Sequence, residues 1–126
     1  MNQDSFKQST DTVSSRLASL RSSTPGVMKA FGELGRAATA PGALDAKTKE
    51  LIALALSVAV RCEPCIGFHT QTLAKLGATR QEVDETLGVA TYMGGGPSLM
   101  YAASAVAAFD EALAAQAALA AQATAR

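Results

Sequence analysis

Apolar residues along this chain recur at three- and four-residue intervals, and nowhere do they alternate with polar ones over a strand-length run. That period lines them up on one side of a helix. Ala, Leu, Glu, Lys and Gln dominate and β-branched residues are sparse, so the pattern predicts an all-α fold of about six helices with no strand.

The first helix is expected from about Gln3 to Arg21. Phe6, Val13 and Leu20 recur every seven residues, with Leu17 on the same side, a narrow apolar stripe that needs a partner. Ser22 to Gly26 interrupts it. Pro25 suits the first turn of a second helix reaching about Thr39, with Val27, Met28, Phe31 and Leu34 turned inward. Ala40-Pro-Gly42 reads as a turn. Asp45 is a fitting N-cap for a third helix, from Ala46 to about Val60. Between Leu51 and Val60 apolar side chains cover most of its circumference, which predicts central burial. Arg61 to Pro64 ends it. Pro64 fits the opening turn of a fourth helix, which carries Cys65, His69, Leu73 and Leu76 and stops at Gly77. Thr79 to Glu82 matches a capping box and opens a fifth helix, to about Met93. Gly94-Gly-Gly96 breaks the chain, and its glycines are read as points of close backbone approach or positive φ. Pro97 restarts a last helix from Ser98. After Glu111 it is almost wholly Ala, Leu and Gln, a tail that suits either solvent or a second protomer.

Length and charge then narrow the classes of function. A chain of 126 residues, 48% apolar, can build one core and is expected to form one domain, 1–126. Eleven basic and eleven acidic side chains balance, so nothing attracts nucleic acid or an anionic membrane. The polar start lacks a signal-peptide apolar run, and the densest apolar stretch, Leu51 to Val60, falls short of the roughly 20 residues a membrane span needs. A soluble cytoplasmic protein is expected.

The chemistry is concentrated in eight positions, Cys62-Glu-Pro-Cys-Ile-Gly-Phe-His69, which hold both cysteines and the single histidine of the chain. In a reducing compartment such a pair points to catalysis or metal binding rather than to a structural staple. A helix N-terminus beside the thiols favours thiolate, the form that attacks peroxides and disulfides. Cys65 and His69, four apart, share a helical face, so His69 can take the thiol proton directly or through a water. Cys62, just before the helix, is placed to attack a sulfenic acid on Cys65 and close a disulfide. Glu50 lies twelve residues before Cys62. If the chain reverses near Arg61 to Pro64, it falls within roughly 7 Å of His69 along the helix axis, a gap its side chain and one water can span. Zinc held by Cys62, Cys65, His69 and Glu50 is the alternative use of the same residues. The Cys-x2-Cys pair does not attach haem, since Ile66 stands where a histidine would follow, and no βαβ pattern supports a thioredoxin fold.

The stretches Leu44 to Ala55, Cys62 to His69 and Tyr92 to Pro97 resemble the carboxymuconolactone decarboxylase / AhpD-like alkylhydroperoxidase superfamily. The resemblance covers about residues 25 to 110. Its Glu-x11-Cys-x2-Cys-x3-His pattern is that of the AhpD-like branch. It implies an all-α protomer assembled as a homo-trimer or homo-hexamer, and reduction of hydroperoxides by the cysteine pair without a bound cofactor. It also implies a dithiol electron donor of lipoyl or thioredoxin type. Carried over, Cys65 is the peroxidatic and Cys62 the resolving cysteine, with Glu50 and His69 as the proton relay. One position departs: AhpD has a histidine just before the second cysteine, where this chain has Pro64, so the relay is one member shorter. A lyase of the decarboxylase branch, which uses no cysteine pair, and a non-enzymatic disulfide-exchange module are the alternatives.

Overall fold

The computed structural model describes residues 5–125 and contains six helices. They are α1 (Phe6–Ser23), α2 (Pro25–Thr39), α3 (Ala46–Ala59), α4 (Glu63–Lys75), α5 (Arg80–Gly94) and α6 (Gly96–Thr124). The expected all-α class and helix count hold, and no strand occurs among the described residues. The expected start at Gln3 lies outside the described residues; α1 opens at Phe6, where Ser5 and Gln8 form a capping box that no spacing argument had marked.

Helices α3 to α6 enclose one core. Leu54 and Val58 from α3, Ile66 and Leu73 from α4, Val83 and Leu87 from α5 and Phe109 from α6 are its large buried side chains. Helix α6 contributes mainly Ala102, Ala105 and Ala108, small residues that let α4 and α5 lie close along it. Lys47 at the start of α3 reaches Glu82 at the start of α5, 2.8 Å away, and ties the two N-termini together. The hydrogen bond from Lys47 holds the Glu82 carboxyl below its ordinary value, and Glu82 in turn raises the Lys47 ammonium.

Helix α1 lies against α4 where α4 has Gly67. A Cβ there would come within 2.6 Å of the Thr10 methyl, so only glycine admits this approach. Gln71 donates a hydrogen bond to the Thr10 hydroxyl at 3.2 Å. At the start of α1, the Glu111 carboxylate accepts from the amides of Phe6 (3.0 Å) and Lys7 (3.3 Å), which fastens that end to α6.

Two expectations are corrected. Val27, Phe31 and Leu34 do not turn inward: α2 buries no residue in this chain, and Phe31 is 70% exposed. Nor is α3 buried all round. Its core side holds Leu54, Ser57 and Val58, while Ile52, Leu56 and Val60 face solvent. Apolar content around α3 was read as burial within one chain, but six helices do not supply enough neighbours to cover it. The glycine triplet has a divided role. Gly94 leaves room for the Ser98 side chain, Gly95 takes φ 75°, and α6 begins at Gly96, two residues before the expected Ser98.

Candidate functional site

The turn between α3 and α4 builds the site. Helix α3 ends at Ala59 with Val60 as its C-cap, and the amides of Arg61 and Cys62 then donate back to the carbonyls of Val58 (3.2 Å) and Ser57 (3.0 Å). This six-to-one, five-to-two pair of bonds is a Schellman motif, which needs a left-handed residue at its centre. Arg61 occupies that place with φ 60°, the one non-glycine residue with positive φ among those described. A side chain there costs roughly 1 kcal/mol relative to glycine. The reversal sends α4 back along α3.

Cys62 is the N-cap of α4, and its sulfur accepts from the amide of Cys65 at 3.3 Å. The two cysteines are joined in a disulfide with Cα atoms 5.2 Å apart. Sulfur therefore sits at the positive end of α4, where the unpaired amides of the first turn favour negative charge. Both cysteines are half-buried, so a small reagent can reach them.

The reversal also brings Glu50 and His69 together. Glu50 Oε2 lies 2.6 Å from His69 Nδ1. The contact is direct, where the spacing argument had allowed for an intervening water. Glu50 is 7% exposed, and the His69 side chain 31%. An ionised carboxylate only accepts, so Nδ1 is the donor in this contact, and in a neutral ring Nε2 is then the nitrogen that can accept a proton. A carboxylate this buried needs such a partner, and the pairing fixes both the tautomer and the ring orientation.

The structure thus joins the four residues singled out by the sequence as two pairs, Cys62 with Cys65 at the start of α4 and Glu50 with His69 farther along the α3–α4 contact. Arg61 was missed. It had been taken only as part of the interruption between helices. The signal was present in the matching motif at the end of α4, where the amides of Gly77 and Ala78 bond Ala74 and Leu73 in the same pattern and Gly77 takes φ 78°. One turn uses glycine, and the other, beside the cysteines, uses arginine. A groove of about 360 Å³ runs between α1 and the start of α4, lined by Ser9, Thr12, Val13, Arg16, Glu63 and Pro64. It follows the flank of α4 that faces α1. His69 lies about 140° around the helix from Pro64, so this groove serves the other side.

Comparison with known proteins places this architecture. The sequence profile of the carboxymuconolactone decarboxylase family matches residues 25–109. A crystal structure of a carboxymuconolactone decarboxylase family protein from Legionella pneumophila superposes with TM-score 0.84 at 58% identity, covering 86% of this chain and 96% of that one. A family member from Thermotoga maritima, for which involvement in an antioxidative response has been suggested, gives TM-score 0.63 at 37% identity over 67% of this chain and 87% of that one. An uncharacterized protein from Cupriavidus necator is 42% identical over 98 residues, 78% of this chain and 87% of its own length. Helix α1 lies outside the profile match.

Proposed function

We propose that this chain, which belongs to the carboxymuconolactone decarboxylase family, is a thiol-dependent peroxidase of the AhpD-like kind. The observation that carries the reading is the direct Glu50–His69 contact at 2.6 Å, on the helix that also bears the Cys62–Cys65 disulfide. In the reduced protein the Cys65 thiolate attacks the outer peroxide oxygen. The O–O bond breaks, the alcohol or water leaves with a proton from the relay, and Cys65 becomes a sulfenic acid. Cys62 displaces the hydroxide as water and forms the disulfide, and a dithiol donor restores both thiols by exchange. Glu50 holds His69 with Nε2 ready to take the Cys65 proton. No resident cofactor enters this sequence.

With dithiothreitol as reductant, the protein is expected to consume cumene hydroperoxide over many turnovers, followed by loss of absorbance at fixed protein concentration. Prior alkylation of the reduced protein with iodoacetamide should stop it. Lactone decarboxylation, the rival reading, predicts the opposite, an activity indifferent to alkylation. A disulfide-exchange module predicts a reversible disulfide without peroxide turnover.

We propose the partner and setting as well. Val27, Phe31, Leu34, Leu56, Val60 and Tyr92 are all more than half exposed, and Tyr92 is 84% exposed. Exposed large apolar side chains in such number point to a surface that another protein covers. Further copies of this chain, as a homo-trimer or homo-hexamer, cover it. Among the described residues no helix is long and apolar enough to cross a membrane, and the proposed setting is the cytoplasm. Phe31→Glu is expected to lower the mass measured by light scattering by at least half while leaving helical content intact. An unchanged mass, or a monomeric parent protein, would remove the assembly proposal.

A further inference from the structure

The proposed peroxidase reading leaves one feature of the site unused, the arginine held in a glycine conformation beside the redox pair. Arg61 is exposed, and among the described residues it forms no ion pair and its side chain no hydrogen bond. Its backbone is held by two hydrogen bonds of the Schellman motif, so the side chain springs from a fixed point next to Cys62. The equivalent turn after α4 uses Gly77, and the break after α5 places Gly95 in positive φ. The chain therefore has glycine where only the backbone matters, and accepts a strained side chain at the one such position adjoining the cysteines. Strain kept at a site is a sign that the side chain itself is needed there. Glu63, the acid nearest in sequence, lines the groove toward α1 and forms no ion pair with Arg61 among the described residues.

We infer that Arg61 is a specificity-determining residue that receives the carboxylate of an anionic dithiol as it reduces the Cys62–Cys65 disulfide; this rests on the redox reading above. The two sulfurs differ in their surroundings. Cys65 shares the helix with His69, whereas Cys62 precedes it and adjoins Arg61. A donor thiolate attacks Cys62 Sγ, the Sγ–Sγ bond breaks, and Cys65 leaves as a thiolate favoured by the helix N-terminus. The second donor thiol then attacks the donor sulfur of the mixed disulfide and releases Cys62. Two electrons and two protons pass from the dithiol, which leaves as its own disulfide. A guanidinium at Cys62 attracts the incoming anion in both steps and offers a forked donor pair to a carboxylate.

The test follows reduction of the oxidised protein by dihydrolipoate, which bears a carboxylate, and by dithiothreitol, which is neutral, in stopped flow. The readout is the ratio of the two rate constants. Arg61→Gly and Arg61→Gln are expected to lower that ratio about tenfold, and Arg61→Lys to keep most of it. The dihydrolipoate rate of the parent should fall with added salt, while that of Arg61→Gly stays nearly flat. Arg61→Gly should also melt a few degrees higher, since glycine relieves the backbone. A higher melting point with an unchanged ratio would reduce Arg61 to a helix terminator and overturn the inference, leaving the peroxidase reading in place. If neither dithiol reduces the disulfide of the parent protein, the redox reading fails and takes this inference with it.

Discussion

Serine at position 65 is expected to abolish hydroperoxide turnover, with kcat/KM lower by about a thousandfold or more, since a hydroxyl is not ionised at neutral pH and attacks an O–O bond poorly. Serine at position 62 is expected to behave differently. Cys65 still reduces one equivalent of peroxide, but nothing resolves its sulfenic acid, so a burst of one alcohol per chain precedes a stall and then over-oxidation to sulfinic acid. Quenched-flow measurement of the burst, with mass spectrometry of Cys65, separates the two roles. The asymmetry rests on position: Cys62 is the N-cap, while Cys65 lies within α4 on the helix of His69. A burst that survives in Cys65→Ser and vanishes in Cys62→Ser would reverse the assignment. Wild-type turnover in Cys65→Ser would end the peroxidase reading altogether.

Glu50→Gln is the second large effect expected, about a hundredfold loss in kcat/KM with little change in melting temperature. The substitution keeps volume and hydrogen-bonding capacity, so the fold has no reason to fail. It removes what decides the tautomer. A carboxylate can only accept from His69 Nδ1, whereas an amide can also donate to it and leave the proton on Nε2, where it cannot take the Cys65 proton. The alkylation rate of Cys65 by iodoacetamide in the reduced protein should fall in parallel, a readout that a merely structural carboxylate would not move. His69→Gln should lose a similar amount, and the double variant no more than His69→Gln alone, because both act through one proton path. Additive losses, or an unchanged alkylation rate, would remove Glu50 from the relay. His69→Ala is a poor substitute for this test. It leaves a nearly buried carboxylate without its hydrogen-bond donor, and the resulting instability of about 1–3 kcal/mol would obscure the kinetics.

Much of the fold was legible because helices announce themselves locally. Pro25 and Pro64 mark first turns, Asp45 and Thr79 are the N-caps found, and Gly77 closes α4. Each is a property of a few consecutive residues. The inward direction given to Val27, Phe31 and Leu34 failed for the opposite reason. Periodicity identifies the side of a helix that avoids water, but not what covers it. The apolar side of α2 finds no cover within its own chain, and Phe31 remains exposed.

The site divides along the same line. Cys62, Cys65 and His69 could be picked out because they are scarce and lie within one helical turn or two of each other, and their relation is set by α-helix geometry alone. Glu50 is nineteen residues from His69, and only the antiparallel packing of α3 on α4 brings it to 2.6 Å without an intervening water. Arg61 is the converse case. Its neighbour in sequence is the cysteine pair, yet its meaning depends on φ 60°, a backbone value set by the hydrogen bonds of Arg61 and Cys62 to Val58 and Ser57. Sequence by itself determined the helices, their caps and the thiol-histidine helix, because those follow from interactions over three or four residues. Tertiary structure alone decided that Glu50 is a partner of His69, that Arg61 is strained, and that α2 is uncovered, because each depends on where the chain turns and which helices then meet.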